Sequence, residues 1–248
     1  MKGNKRKGTG IKVCLLVLAA ILLAVGVIYS RNIWVVSGRI WDMNAYPDAL
    51  VDLARKNPEA VEFVLDYPRY VDTEQEIDLT GEVSTGEIPL FLQWDKRWGY
   101  ESYGNNFLAV NGCGPTCLAM VYCGLTGDMG QNPYSIACMS AEKGFYVENA
   151  GTSWEMLTAL AQELGLTVHE VIYDEPHIRA FLQEGNPIIC VMGPGDFTEK
   201  GHFIVLIGLD DQGRVIVNDP NSLRNSEQVW ELDKIIPQMK NLWGYSKG

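Results

Sequence analysis

A basic head (Lys2, Lys5, Arg6, Lys7, Lys12) leads into an uncharged apolar run over residues 13–29. At about 1.5 Å per helical residue that run reaches roughly 25 Å, enough to cross a thin bilayer. Residues 32–41 follow as a short stretch with Trp34 and Trp41 suited to a membrane interface. Two short helical patterns come next. Pro47 fits a first turn, with Leu50, Val51, Leu53 and Ala54 on one face; Pro58 opens a second segment over residues 59–65, which Tyr67-Pro68 ends. Residues 72–87 are acidic and polar with two glycines, a linker by composition.

From Ile88 the pattern is denser. Residues 88–93 read as a short strand or extended entry. Helices are predicted over 113–123, 133–143 and 154–164, the last capped by Thr152 or Ser153 and closed by Gly165. Residues 166–172 alternate like a strand, and Asp174 caps a helix over 176–183. Three Val- and Ile-rich runs, 187–192, 202–209 and 214–218, read as strands of one sheet. Helices first and sheet afterwards predict an α+β fold, with helices packed on an antiparallel sheet. Three segments result: a basic head and transmembrane signal anchor (1–31), a juxtamembrane helical segment with its linker (32–87), and one compact domain (88–248).

Charge sharpens this division. The formal charge is −11, yet residues 1–31 hold six of the 20 basic residues and none of the 31 acidic ones, leaving −17 on the remainder. An acidic domain argues against nucleic acid as a partner. The basic head predicts an N-terminus inside and the domain outside, at the cell membrane. A small-x-small triplet, Ala24-Val25-Gly26, offers a signal-peptide cleavage site, in which case the domain is secreted. It lies inside the apolar run with Val27, Ile28 and Tyr29 after it, so an uncleaved anchor is the better reading. Cys14 falls in that run. Five cysteines lie beyond it, an odd number that leaves one free thiol. The other four form two disulfides or pack as small apolar residues. Cys117 and Cys123 share one helical stretch, where pairing is awkward, which favours packing.

The chemistry lies in two short runs. Cys113, in Asn111-Gly112-Cys113-Gly114-Pro115, stands where a helix begins. A helix N-terminus lowers a thiol's pKa, and the thiolate is the nucleophile. Cys117 is a rival one turn deeper. His202, after Gly201, opens an apolar strand and is the candidate base; His169 and His177 read as surface or capping residues. The third member depends on the hairpin joining 202–209 to 214–218. A two- or four-residue loop puts Asp219 on the face of His202, whereas a three-residue loop with a bulge puts Asn218 there. Gln93 is the candidate side-chain amide of an oxyanion hole, with the Cys113 backbone N–H. Three histidines and no H-x-x-x-H pair argue against a zinc site, and no cofactor is implied.

These residues resemble the papain-like C39 family of cysteine peptidases, in particular the stand-alone C39-like exoproteins of bacteria. The resemblance covers residues 88–219. It rests on Gln93-Trp94-Asp95-Lys96-Arg97-Trp98-Gly99, Tyr103-Gly104, Gly112-Cys113-Gly114-Pro115-Thr116, Gly151-Thr152-Ser153-Trp154, Gly201-His202-Phe203 and Asn218-Asp219-Pro220. It implies a papain-like cysteine peptidase fold with Cys113 as nucleophile, His202 as base and acid, Asp219 as orienter and Gln93 in the oxyanion hole. Residues 45–70 resemble the helical prefix of such domains. Cys117 departs from the family's small hydroxyl residue, and no ATP-binding cassette follows, which points away from leader-peptide processing during export. The expected function is a membrane-anchored, extracytoplasmic peptidase or amide hydrolase acting on peptide or protein substrates. The alternatives are a cell-wall peptide amidase or transpeptidase with the same triad, and a peptide-binding module without turnover.

Overall fold

The computed structural model describes residues 33–36, 39–148 and 151–248. They fall into two compact units divided between Val51 and Asp52. In the first, strands β1 (Ile33–Val36) and β2 (Arg39–Asp42) pair antiparallel, with Ile33 opposite Asp42. The stretch expected to border the membrane is therefore a strand pair. The apolar run over 13–29 lies outside the described residues. Among the described residues no helix is long and apolar enough to cross a membrane.

Helix α1 (Asp48–Lys56) is followed by a 3-10 turn, Pro58–Ala60, and by α2 (Val61–Tyr70). Pro68 does not end α2 as expected. It sits in the last turn, where a missing N–H costs only one bond, and burial of Val61, Phe63, Val64 and Leu65 outweighs it. Phe63 stacks on Tyr100 at 4.2 Å, and the Tyr100 hydroxyl donates to the Phe63 carbonyl at 2.6 Å. Residues 72–87 hold no helix or strand beyond one bridge between Ser84 and Glu87. Leu79 is nonetheless buried in the core, and Arg97 clamps the stretch through the Asp78 carbonyl and Glu82. Residues 88–92 belong to no helix or strand, and Gln93 opens a turn.

A small hairpin, β3 (Ser102–Tyr103) and β4 (Asn106–Phe107), leads into α3 (Leu108–Asn111), α4 (Cys113–Thr126) and α5 (Pro133–Glu142). A second hairpin, β5 (Tyr146–Val147) and β6 (Gly151–Thr152), precedes α6 (Met156–Glu163). Thr152 thus belongs to a strand rather than capping α6. Then come β7 (Leu166–His169), α7 (Glu175–Gln183), β8 (Ile188–Met192), β9 (His202–Leu209), β10 (Val215–Asn218), α8 (Leu223–Glu227), β11 (Val229–Trp230), α9 (Leu232–Ile235) and β12 (Met239–Lys247). Six of these strands make one antiparallel sheet in the order β11–β10–β9–β8–β12–β7.

Both faces of the sheet are covered. Ile189, Val191, Phe203 and Val205 join the core built by α4 and α6, while Ile188, Cys190, Ile204 and Leu206 join a second core with Ile178 and Leu182 of α7. Double coverage explains why β8 and β9 read as continuous apolar runs rather than alternating ones. The expected mixture of helices on an antiparallel sheet is present. What the sequence pattern did not predict is β12, nine residues that sit between β7 and β8. Its register shifts between Met239 and Asn241, so the buried residues Met239 and Leu242 are spaced by three and the period of two is lost.

Candidate active site

Helix α4 is buried on all sides from Gly114 to Gly124, so it runs through the core as a rod. Its first residue, Cys113, is half-buried, at the end where the helix dipole is positive. Gly114 is required there: a Cβ would lie 2.9 Å from Cβ and Oγ1 of Thr152. That close approach brings β6 against the helix start. Thr152 is in turn fixed by the buried Tyr103 hydroxyl, which bonds Thr152 Oγ1 at 2.9 Å and Ser140 Oγ at 2.7 Å.

His202 is the first residue of β9, and its placement against the acid comes from an irregularity in the hairpin. The turn is a three-residue loop closed by Asp210 and Arg214, with Gly213 at φ 77°. Val215 pairs with Leu209 and Ile216 with Gly208, a register that alone would bring Asn218 to the face of His202. A bulge at Ile207 then shifts the pairing, so that Val217 meets Leu206 and Asn218 meets Val205. The shift returns Asp219 to that face. The Nε2–H of His202 donates to Asp219 Oδ1 at 2.7 Å. Asn218 turns away and donates to the carbonyls of Ile88 (3.2 Å) and Pro89 (2.9 Å).

Because Asp219 takes Nε2, Nδ1 is the ring nitrogen left for the thiol. Burial works against a Cys113 thiolate. Hydrogen bonding to His202, the imidazolium charge and the backbone N–H groups of Phe203 and Gly114 outweigh it, so the thiol's pKa falls below its ordinary value. Burial likewise disfavours the imidazolium, but the charge and hydrogen bond of Asp219, with a further contribution from Cys113, push His202 up to about 10. One turn along, Cys117 goes the other way: burial first, then the charges of Cys113, Asp219 and Cys190, raise it well above the ordinary thiol. All five cysteines among the described residues are free, and Cys117, Cys123 and Cys190 are buried.

Gln93 is buried, not an exposed glutamine. Its Nε2 donates to the Ala109 carbonyl at 2.6 Å, one turn before Cys113, and its own N–H donates to the Pro220 carbonyl at 2.7 Å. Its Oε1 has no partner among the described residues. Asn225 joins the site without having been expected there. Its Nδ2 donates to the second carboxylate oxygen of Asp219 at 2.8 Å, and the Asn221 N–H donates to the first at 2.9 Å. A polar Asn in a short helix six residues after Asp-Pro carries no signal in sequence beyond its composition. His169 bonds Ser246 and His177 bonds Asp174, away from this cluster. Among the described residues no group of three or more His, Cys, Asp or Glu is placed to hold a metal ion.

No curated protein matches the chain. Among solved structures, the crystal structure of the peptidase domain of Streptococcus ComA, a bi-functional ABC transporter involved in a quorum-sensing pathway, is similar at 20% identity with a TM-score of 0.44. The match covers 65% of this chain and 100% of that one. A model of the Peptidase_C39 like family matches residues 85–248, and the chain accordingly belongs to that family.

Proposed function

We propose that the chain is a cysteine peptidase that cleaves peptide bonds through a thioester acyl-enzyme. The observation that carries this reading is the buried His202–Asp219 hydrogen bond of 2.7 Å beside a thiol whose pKa the same imidazole lowers. In the resting site Cys113 is the thiolate and His202 the imidazolium. The thiolate attacks the substrate carbonyl carbon, and the oxyanion is stabilised by the Cys113 backbone N–H and the Gln93 amide. As the C–N bond breaks, His202 gives its proton to the leaving amine. Water then attacks the thioester while His202 takes its proton, and the carboxylic acid leaves from the Cys113 thiolate. Asp219 holds the ring through Nε2 in every step, so Nδ1 does the proton transfer. Residues 13–29 serve as an uncleaved anchor with the domain outside the membrane, a reading supported by the basic head before them.

The test is alkylation of the full chain by iodoacetamide across about pH 4 to 10, with the labelled cysteine mapped. Fast labelling of Cys113 far below an ordinary thiol pKa of about 8.5 is expected. It should be followed by cleavage of linear or cross-linked wall peptides that Cys113→Ala abolishes. Labelling of Cys113 with the profile of a free thiol, or peptide cleavage that survives Cys113→Ala, would sink the reading.

A further inference from the structure

The loop from Asp219 to α8 positions the acid, and almost every group that holds the Asp219 carboxylate in place belongs to that loop. The Asn221 N–H and Asn225 Nδ2 donate to its two oxygens, and its own N–H donates to Ser226 Oγ at 2.9 Å. A loop that supports its own acid is only as well placed as whatever holds the loop. The outside contacts come from far away in sequence. Asn57 Nδ2 donates to the Asn221 carbonyl at 2.6 Å and to Asn221 Oδ1 at 3.1 Å. Glu59 Oε1 accepts from the Ser222 hydroxyl at 2.7 Å, and Oε2 accepts from the Arg224 N–H at 3.2 Å. Trp94 Nε1 donates to the same Asn221 carbonyl at 3.2 Å.

Ser222 is the N-cap of α8, and its Oγ accepts from the Asn225 N–H at 3.1 Å. A continuous chain of hydrogen bonds therefore runs Glu59–Ser222–Asn225–Asp219–His202. Asn57 is itself buried, and its side-chain oxygen caps the 3-10 turn that carries Glu59, which ties the start of that turn to the same residue that holds Asn221. Both residues precede position 85, where the family match begins. We infer that Asn57 and Glu59 are positioning residues for Asp219, so that the segment before the matched domain sets the protonation of the Cys113–His202 pair. This rests on the proposed roles of those three residues. A misplacement of the acid by a fraction of an ångström weakens its hold on the imidazolium, and the thiol's pKa rises in step.

The test is the pH profile of Cys113 alkylation in the full chain for Asn57→Ala/Glu59→Ala, with thermal melting recorded in parallel. The expected result is a folded variant whose low-pH wave moves up by about one unit, hence about tenfold slower labelling at any pH well below the wild-type wave. Glu59→Gln keeps an acceptor for Ser222 and should retain the wild-type profile. Glu62→Ala, on the same segment, should leave it unchanged. A wild-type wave that the double variant leaves in place overturns the inference alone, as does an equal shift from Glu62→Ala. A wild-type chain with no wave below the ordinary thiol value overturns the proposed function, and the inference with it. Should the double variant fail to fold, Glu59→Ala decides by the same criteria.

Discussion

Two His–Asp pairs in this molecule have the same contact distance. His202 and Asp219 meet at 2.7 Å, and so do His177 and Asp174. Their surroundings differ. The side chains of the first pair are 7% and 1% exposed, those of the second 52% and 44%. The second pair is local, formed within the first turn of α7, where Asp174 also accepts from the His177 backbone N–H at 2.9 Å. That backbone bond, then the ring, lower the pKa of Asp174, as is usual for a cap. The first pair joins the start of β9 to the residue that follows β10, has Asn225 on the far carboxylate oxygen and a thiol beside its ring. Distance alone does not set what a His–Asp pair can do. Removal from water lets one carboxylate act on one imidazole without screening.

The largest expected effect is therefore on the buried side. His202→Ala removes the charge and hydrogen bond that lower the Cys113 thiol and leaves only the backbone N–H groups of Phe203 and Gly114 against burial, the largest single influence. The thiol should then titrate at or above about 8.5, which leaves roughly 0.3% thiolate at pH 6. Alkylation of Cys113 at that pH should fall by at least about a hundredfold, and His177→Ala should leave it unchanged. Equal losses in the two variants would erase the distinction drawn between the pairs.

Asp219→Asn tests the same contrast through charge. The amide still bonds the ring and Cys113 still supports the imidazolium, but the carboxylate charge that most strongly offsets burial is gone, so His202 should fall well below about 10. Imidazole proton shifts followed by NMR against pH would read this directly. The change also fixes a pH dependence of stability. A pKa raised on folding means that the pair's contribution is complete below about pH 6.5 and lost as pH rises through about 10. The thiol titrates in the opposite sense, so the comparison belongs in a Cys113→Ser background. There, the gap in melting temperature between chains with and without Asp219→Asn should close over that window. A gap that widens with pH would contradict the assignment.

The contrast also separates what sequence could disclose from what it could not. Asp174 capping a helix at Pro176 and His177 is a local arrangement, and it was readable because all its parts lie within three residues. Cys113 at a helix start and His202 at a strand start were readable for the same reason: each is a residue type at the end of a patterned run. The choice between Asn218 and Asp219 was not readable, since it turns on one unpaired residue, Ile207, inside an apolar strand whose composition does not betray a bulge. Asn225, Asn57 and Glu59 act through contacts that span from six to more than a hundred and sixty residues, and polar residues in short helices look alike until the loop they hold is known. Strand β12 was missed because its register shift spoils the alternation by which strands are recognised.

A smaller effect distinguishes the neighbours Asn218 and Asp219. Asn218→Ala leaves the carbonyls of Ile88 and Pro89 without their buried donor, which should cost about 1–3 kcal/mol in denaturant unfolding. It should not move the pH profile of Cys113, because Asn218 touches neither the imidazole nor its carboxylate. A shift in the profile comparable to that of Asp219→Asn would mean that the strand end moves as one piece and that the bulge does not decouple the two positions.

The smallest effect belongs to the exposed pair. In Asp174→Asn, the side-chain oxygen still accepts from the His177 N–H, so the cap of α7 survives and only the charge is lost. Water and salt already screen that charge at the surface. The melting temperature should therefore change little, and what change there is should shrink as salt is added, whereas the effect of Asp219→Asn should persist at the same ionic strength. Salt thus separates the two pairs without reference to any substrate: a buried contact of 2.7 Å keeps its effect when an exposed contact of equal length loses it. If both respond alike, water reaches His202 and Asp219, and the low-pH thiolate at Cys113 needs another cause.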